Sequence, residues 1–149
     1  MRPLKIDTHL HTRYSGSSSL AIETLVQNAR DTRQRVVVCT DHADDHAYDR
    51  LRRDLPRTLV IPAIEVEAEE SDLLVYSADR DYIHSLCDFH GSIKELRRDE
   101  KTAIVWAHPC VSQRADLSHL RFAEQGPLRV VAGRVHRPHR AARGRHRGL

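Results

Sequence analysis

The sequence predicts an α/β fold, and three features predict it. Short apolar runs at 3–6, 36–39, 59–64 and 103–107 have the continuous character of strands buried on both faces, as in parallel sheets. Amphipathic helical patterns separate several of them. Each run ends in a His, Asp or Glu, which is where α/β barrels carry their chemistry. At 149 residues the chain has the length of one domain, short of the roughly 250 residues of a full barrel.

The first run, Pro3-Leu4-Lys5-Ile6, leads into Asp7-Thr8-His9-Leu10-His11. Residues two apart on a strand share a face, so Asp7, His9 and His11 are expected to project into one small volume. Neutral imidazoles are the commonest metal ligands, and a nearby carboxylate fixes the ring tautomer. The loop at 12–19 is rich in Ser and Gly and is placed to touch a substrate, with Arg13 suited to paired bonds to a phosphate. Residues 20–33 read as a helix, because Ile22, Leu25, Val26 and Ala29 mark one buried face. The run Val36-Val37-Val38-Cys39 follows and ends in Thr40-Asp41-His42, completing a βαβ unit that favours parallel pairing.

Residues 43–46 read as an acidic loop, with His46 outside the site. Residues 47–55 read as a short helix closed by Pro56. The third run reaches Glu65, and 72–76 reads as a further strand. Residues 79–100 suit two short helices, on which His84 and His90 are solvated or capping and Cys87 is a small buried hydrophobe. The last clear strand ends at His108-Pro109.

Composition narrows the function classes. Residues 125–149 hold seven arginines and no acid, so the other 124 residues, with 17 basic and 21 acidic side chains, are net −4 within an overall +3. A domain at 1–127 and an Arg/His-rich, disordered tail at 128–149 are therefore expected. The tail reads as a basic arm for nucleic acid, a solvated extension, or a frameshift out of a longer reading frame, the last favoured because the barrel stops halfway. No apolar run is long enough to span a membrane, and no signal peptide is expected. Three widely spaced cysteines, Cys39, Cys87 and Cys110, argue against a disulfide framework and for a cytoplasmic setting.

Taken together, Asp7-x-His9-x-His11, His11-Thr12-x-x-Ser15, Thr40-Asp41-His42, Pro62-Ala63-Ile64-Glu65-Val66 and Ala107-His108-Pro109 resemble the polymerase and histidinol phosphatase (PHP) family of metal-dependent phosphoesterases. The matching pieces run from residue 4 to about 110. The family's late Asn-containing motif and its closing Asp-x-His motif have no counterpart here. The resemblance implies a distorted (β/α)7, TIM-like barrel, incomplete in this chain, with two or three divalent ions (Zn, Mn or Fe) at the strand ends. It implies His9, His11 and Glu65 on one ion, Glu65 bridging to a second that His108 also binds, and His42 at a third position. Asp7 and Asp41 would support or supplement these ligands, and Asp41 with Arg13 is the candidate catalytic pair. Asp72 stands where related members carry a His.

The activity implied is hydrolysis of a phosphate ester by metal-activated water, the ester being a small molecule, a nucleotide or a nucleic-acid end. Two other readings stay open: a nucleic-acid-binding module acting through the tail, and an inactive remnant. The oligomeric state is not legible in the sequence.

Overall fold

The computed structural model describes residues 6–69 and 71–108. The tail, its boundary at 127, residues 3–5 of the first expected strand, Pro109 and Cys110 lie outside the described residues.

The element order is α1 (Ile22–Asp31), β1 (Val36–Val38), α2 (His46–Asp54), β2 (Leu59–Ile61), β3 (Ala63–Ala68), β4 (Ser71–Ser77), α3 (Arg80–Ser85) and β5 (Thr102–Trp106), with 3-10 turns at Arg13–Ser15 and Ile93–Glu95. The α1 face Ile22, Leu25, Val26 and Ala29 packs with Ala47 and Leu51 of α2 and with Val37 and Val60 of the strands. Burial of that apolar stripe, rather than intrinsic propensity, is what holds so short a helix. At the end of α1 the Thr32 hydroxyl bonds the Asn28 carbonyl at 2.6 Å, and Arg33 takes a positive φ of 51°, which turns the chain toward β1.

β1 and β2 pair in parallel, Val37 opposite Val60, across the α2 crossover. β3, β4 and β5 form a separate antiparallel sheet in that order. Side chains alternate along β3: Ile64, Val66 and Ala68 join a second core with Leu73, Val75, Ile83, Leu86 and Ile104. Glu65 therefore points to the other face.

Several expectations are corrected. The fold is mixed α/β, but among the described residues the strands make two small sheets and no closed barrel. The expected single strand at 59–64 divides at Pro62, whose ring nitrogen has no hydrogen to give a ladder. Beyond it β3 runs on past Glu65 to Ala68, so Glu65 lies within a strand rather than at its end. The strands at 72–76 and 103–107 are antiparallel to their neighbours, because the reversal after Ala68, with Glu69 at φ 50°, folds β4 straight back on β3. Residues 6–12 form no regular strand. Leu10 instead meets Thr40 through its carbonyl, which accepts from the Thr40 N–H at 2.8 Å.

The two sheets meet at one seam. The Glu65 N–H bonds the Asp41 carbonyl at 3.1 Å, the Ala43 N–H bonds the Glu65 carbonyl at 3.3 Å, and His42 and Glu65 form a parallel bridge. The segment at 9–12, the segment at 40–42 and β3 thus lie side by side.

Candidate metal centre

That seam brings together five of the side chains singled out in the sequence. Leu10 packs into the first core, so His9 and His11, on either side of it, face away from that core and toward Glu65. His9 Nε2 lies 3.0 Å and His11 Nε2 2.8 Å from Glu65 Oε2. His42 Nε2 is 3.7 Å from the same oxygen, and His108 Nε2 is 3.7 Å from Oε1. The rings of His11 and His42 stack at 4.7 Å, and those of His9 and His108 stand 5.1 Å apart.

Glu65 is 1% exposed. Its Oε1 is buried without a hydrogen-bond partner. A buried carboxylate oxygen left so is costly in a protein with nothing to satisfy it. Crowding gives a second sign. His9 Nε2 and His11 Nε2 are 2.9 Å apart, and both press on one carboxylate oxygen. Two ring N–H groups aimed at one oxygen from that separation bring their protons together. An ion bonded at about 2.1 Å sets its ligand atoms roughly 3.0–3.4 Å apart, close to the spacing seen. Two triplets at this seam have one donor atom each within 4.8 Å of the others: His9, Glu65 and His108, and His11, His42 and Glu65. Glu65 belongs to both, so it is the residue able to bridge two ions.

Electrostatics follow the same geometry. The Glu65 hydrogen bond raises His9 above its ordinary value in spite of burial. Burial, with His42 and His9 alongside, lowers His11. Burial pushes the Glu65 carboxyl up, but the His9 bond and the charges of His9, His42 and His11 outweigh it, and the net direction is down.

No protein-family model matches the chain. No curated protein matches it. Among solved structures, one from Bifidobacterium adolescentis, provisionally named a metal-dependent phosphoesterase, is 22% identical with a TM-score of 0.45. The match covers 54% of this chain and 31% of that one, so this chain spans less than a third of its length.

The other predicted residues stand around the cluster rather than in it. Asp41 is buried, and Thr12 occupies both of its oxygens, the N–H at 2.5 Å and the hydroxyl at 2.7 Å. Burial raises its carboxyl despite those bonds. Asp7 is exposed and accepts the His9 N–H at 3.2 Å. Arg13 is exposed and ion-paired with Glu23 at 2.6 Å. Among the described residues, neither Asp7, Asp41 nor Asp72 belongs to such a triplet.

Two supporting residues were less legible. The Ser15 hydroxyl lies 3.1 Å from His11 Nδ1 and accepts the His42 backbone N–H at 3.0 Å, so one side chain orients the His11 imidazole and holds the backbone that carries His42. Its place in His11-Thr12-x-x-Ser15 was the available signal. Gly16, at φ 70°, closes the turn that presents Ser15, a conformation that costs glycine little. Tyr76 donates to the Thr8 carbonyl at 2.6 Å and so pins the segment between Asp7 and His9. Nothing in the local sequence marks that contact, because it joins residues 68 apart. Burial pushes the Cys39 thiol up to about 12, so it is no ready nucleophile.

Proposed function

We propose that this chain is a metal-dependent hydrolase of phosphate esters, with His9, His11, His42, Glu65 and His108 holding the ions. The observation that carries the reading is the buried Glu65 carboxylate, which faces four imidazoles and keeps one oxygen without a hydrogen-bond partner. Neutral imidazoles and a carboxylate suit zinc, manganese or iron. Divalent ions bound there supply Lewis acidity, which activates water and offsets charge on a phosphoryl group.

The protein's own part is positioning. Ser15 holds the His11 and His42 segments, Tyr76 holds the backbone ahead of His9, and Asp41 ties down Thr12. Asp7 is a supplementary ligand in this reading, and Asp41 acts through the loop. His42 and His108 keep side-chain exposures of 41% and 46%, which leaves one side open to a substrate. Arg13 is the phosphate contact in this reading. It must leave Glu23 to serve, and an exposed, solvent-screened pair of this kind is weakly held. The substrate class is a small phosphate ester, a nucleotide or a nucleic-acid end.

Phosphate release from a chromogenic monoester tests the proposal. Turnover is expected with Mn²⁺ or Zn²⁺, to vanish with chelator, and to fall at least about tenfold in Glu65→Ala and His9→Ala. Equal turnover in the wild type and both variants overturns it.

A further inference from the structure

A second group of metal-ligating side chains lies elsewhere. Asp45 stands immediately before α2, and its side chain is only 3% exposed. His84 and Cys87 lie three residues apart, where the last turn of α3 continues through a Cys87 N–H to His84 carbonyl bond of 3.2 Å. That spacing puts both on one side of the turn. One donor atom from each of the three lies within 4.8 Å of the others, and His84 Nδ1 is 3.1 Å from Asp45 Oδ2. The group shares no residue with the centre around Glu65.

The Asp45 carboxylate is balanced by Arg80, whose Nη1 contacts the same Oδ2. That arrangement is incomplete, since the Arg80 Nε is buried without an acceptor. Arg80 also has partners that do not depend on Asp45. Its Nη2 is 3.2 Å from Asp49, and its guanidinium sits 5.3 Å from the Tyr48 ring centroid.

We propose that Asp45, His84 and Cys87 bind a divalent cation of the zinc type, with Arg80 as the resident counter-charge that the ion displaces. A thiolate, an imidazole and a carboxylate select zinc, cobalt or cadmium over magnesium, calcium or manganese. The carboxylate and the thiolate balance the ion's two charges, and the thiol proton leaves to solvent on binding. Ala47 and Leu51 of α2 belong to the first core, whereas Ile83 and Leu86 belong to the second. An ion held by Asp45 and the end of α3 therefore cross-links the two halves of the structure.

Titration of the full chain with Co²⁺, followed by thiolate-to-cobalt charge-transfer absorption, tests this. The side chains facing Glu65 are four imidazoles, Cys39 is buried in the first core, and Cys110→Ser is carried in every protein compared, so the band reports on Cys87. The band is expected in the wild type and absent from Cys87→Ser that retains its far-ultraviolet circular dichroism. The affinity read from it should fall at least about tenfold in His84→Ala, which removes a largely exposed side chain. A wild-type titration without the band, a band that persists in Cys87→Ser, or a His84→Ala titration superimposable on the wild type overturns the proposal.

Discussion

Thr12 gives Asp41 two hydrogen bonds, one from its N–H at 2.5 Å and one from its hydroxyl at 2.7 Å, and both residues are buried. This pair fixes the chain one residue past His11 to the chain one residue before His42. Asp41→Asn puts an amide N–H group against one of the two Thr12 donors. A loss of about 1–3 kcal/mol in chemical denaturation is expected, with weaker metal binding. Unchanged stability would mean that the pair does not anchor the loop.

Tyr76→Phe removes only the hydroxyl that meets the Thr8 carbonyl. A cost of about 1 kcal/mol is expected. Metal affinity should fall several-fold while the β3–β4 ladder is kept. Calorimetric titration reads the affinity, and a value equal to the wild type would deny Tyr76 a positioning role.

Ala43 follows His42 and holds a φ of 48°, where a Cβ is strained. Ala43→Gly should relieve about 1 kcal/mol, partly offset by the freer unfolded chain. A higher denaturation midpoint is the expected reading. A lower midpoint would show that this backbone is not under strain.

The His9–Glu65 pair sets a pH dependence in chelator-treated protein. The folded value of His9 lies above 6.5, so its contribution is in place below 6.5 and is lost as pH rises through that raised value. The folded value of Glu65 lies below 4.5, so its contribution is in place above 4.5 and is lost as pH falls through that lowered value. The stability difference between wild type and His9→Gln should therefore be greatest between those limits and shrink above them. Thermal melts across pH 4 to 8 in about one-unit steps check this. A difference that widens from neutral to alkaline pH would contradict it.

The site was more legible than the fold, for a physical reason. Metal-ligating side chains come from a short list, chiefly His, Cys and the carboxylates, so His9, His11, His42, Glu65 and His108 stood out in the sequence whatever the strands did. Strand direction has no such marker. The apolar residues of β4 and β5 suit a parallel or an antiparallel neighbour equally, and the tight reversal at Glu69 carries no glycine or proline to announce it. Asp41 has the composition of a ligand, but the bonds it receives from Thr12, 29 residues away, decide its place. The pairing of Asp45 with His84 across 39 residues was hidden in the same way.

The most direct measurement is metal bound per chain at equilibrium with Zn²⁺ or Mn²⁺, compared between wild type and Glu65→Ala by elemental analysis. Both proteins carry the same histidine-bearing tail and the same Asp45 group, so the difference isolates the centre at the seam. The wild type should hold about one to two ions more, because Glu65 belongs to both ligand triplets. Equal metal in the two proteins would contradict the account.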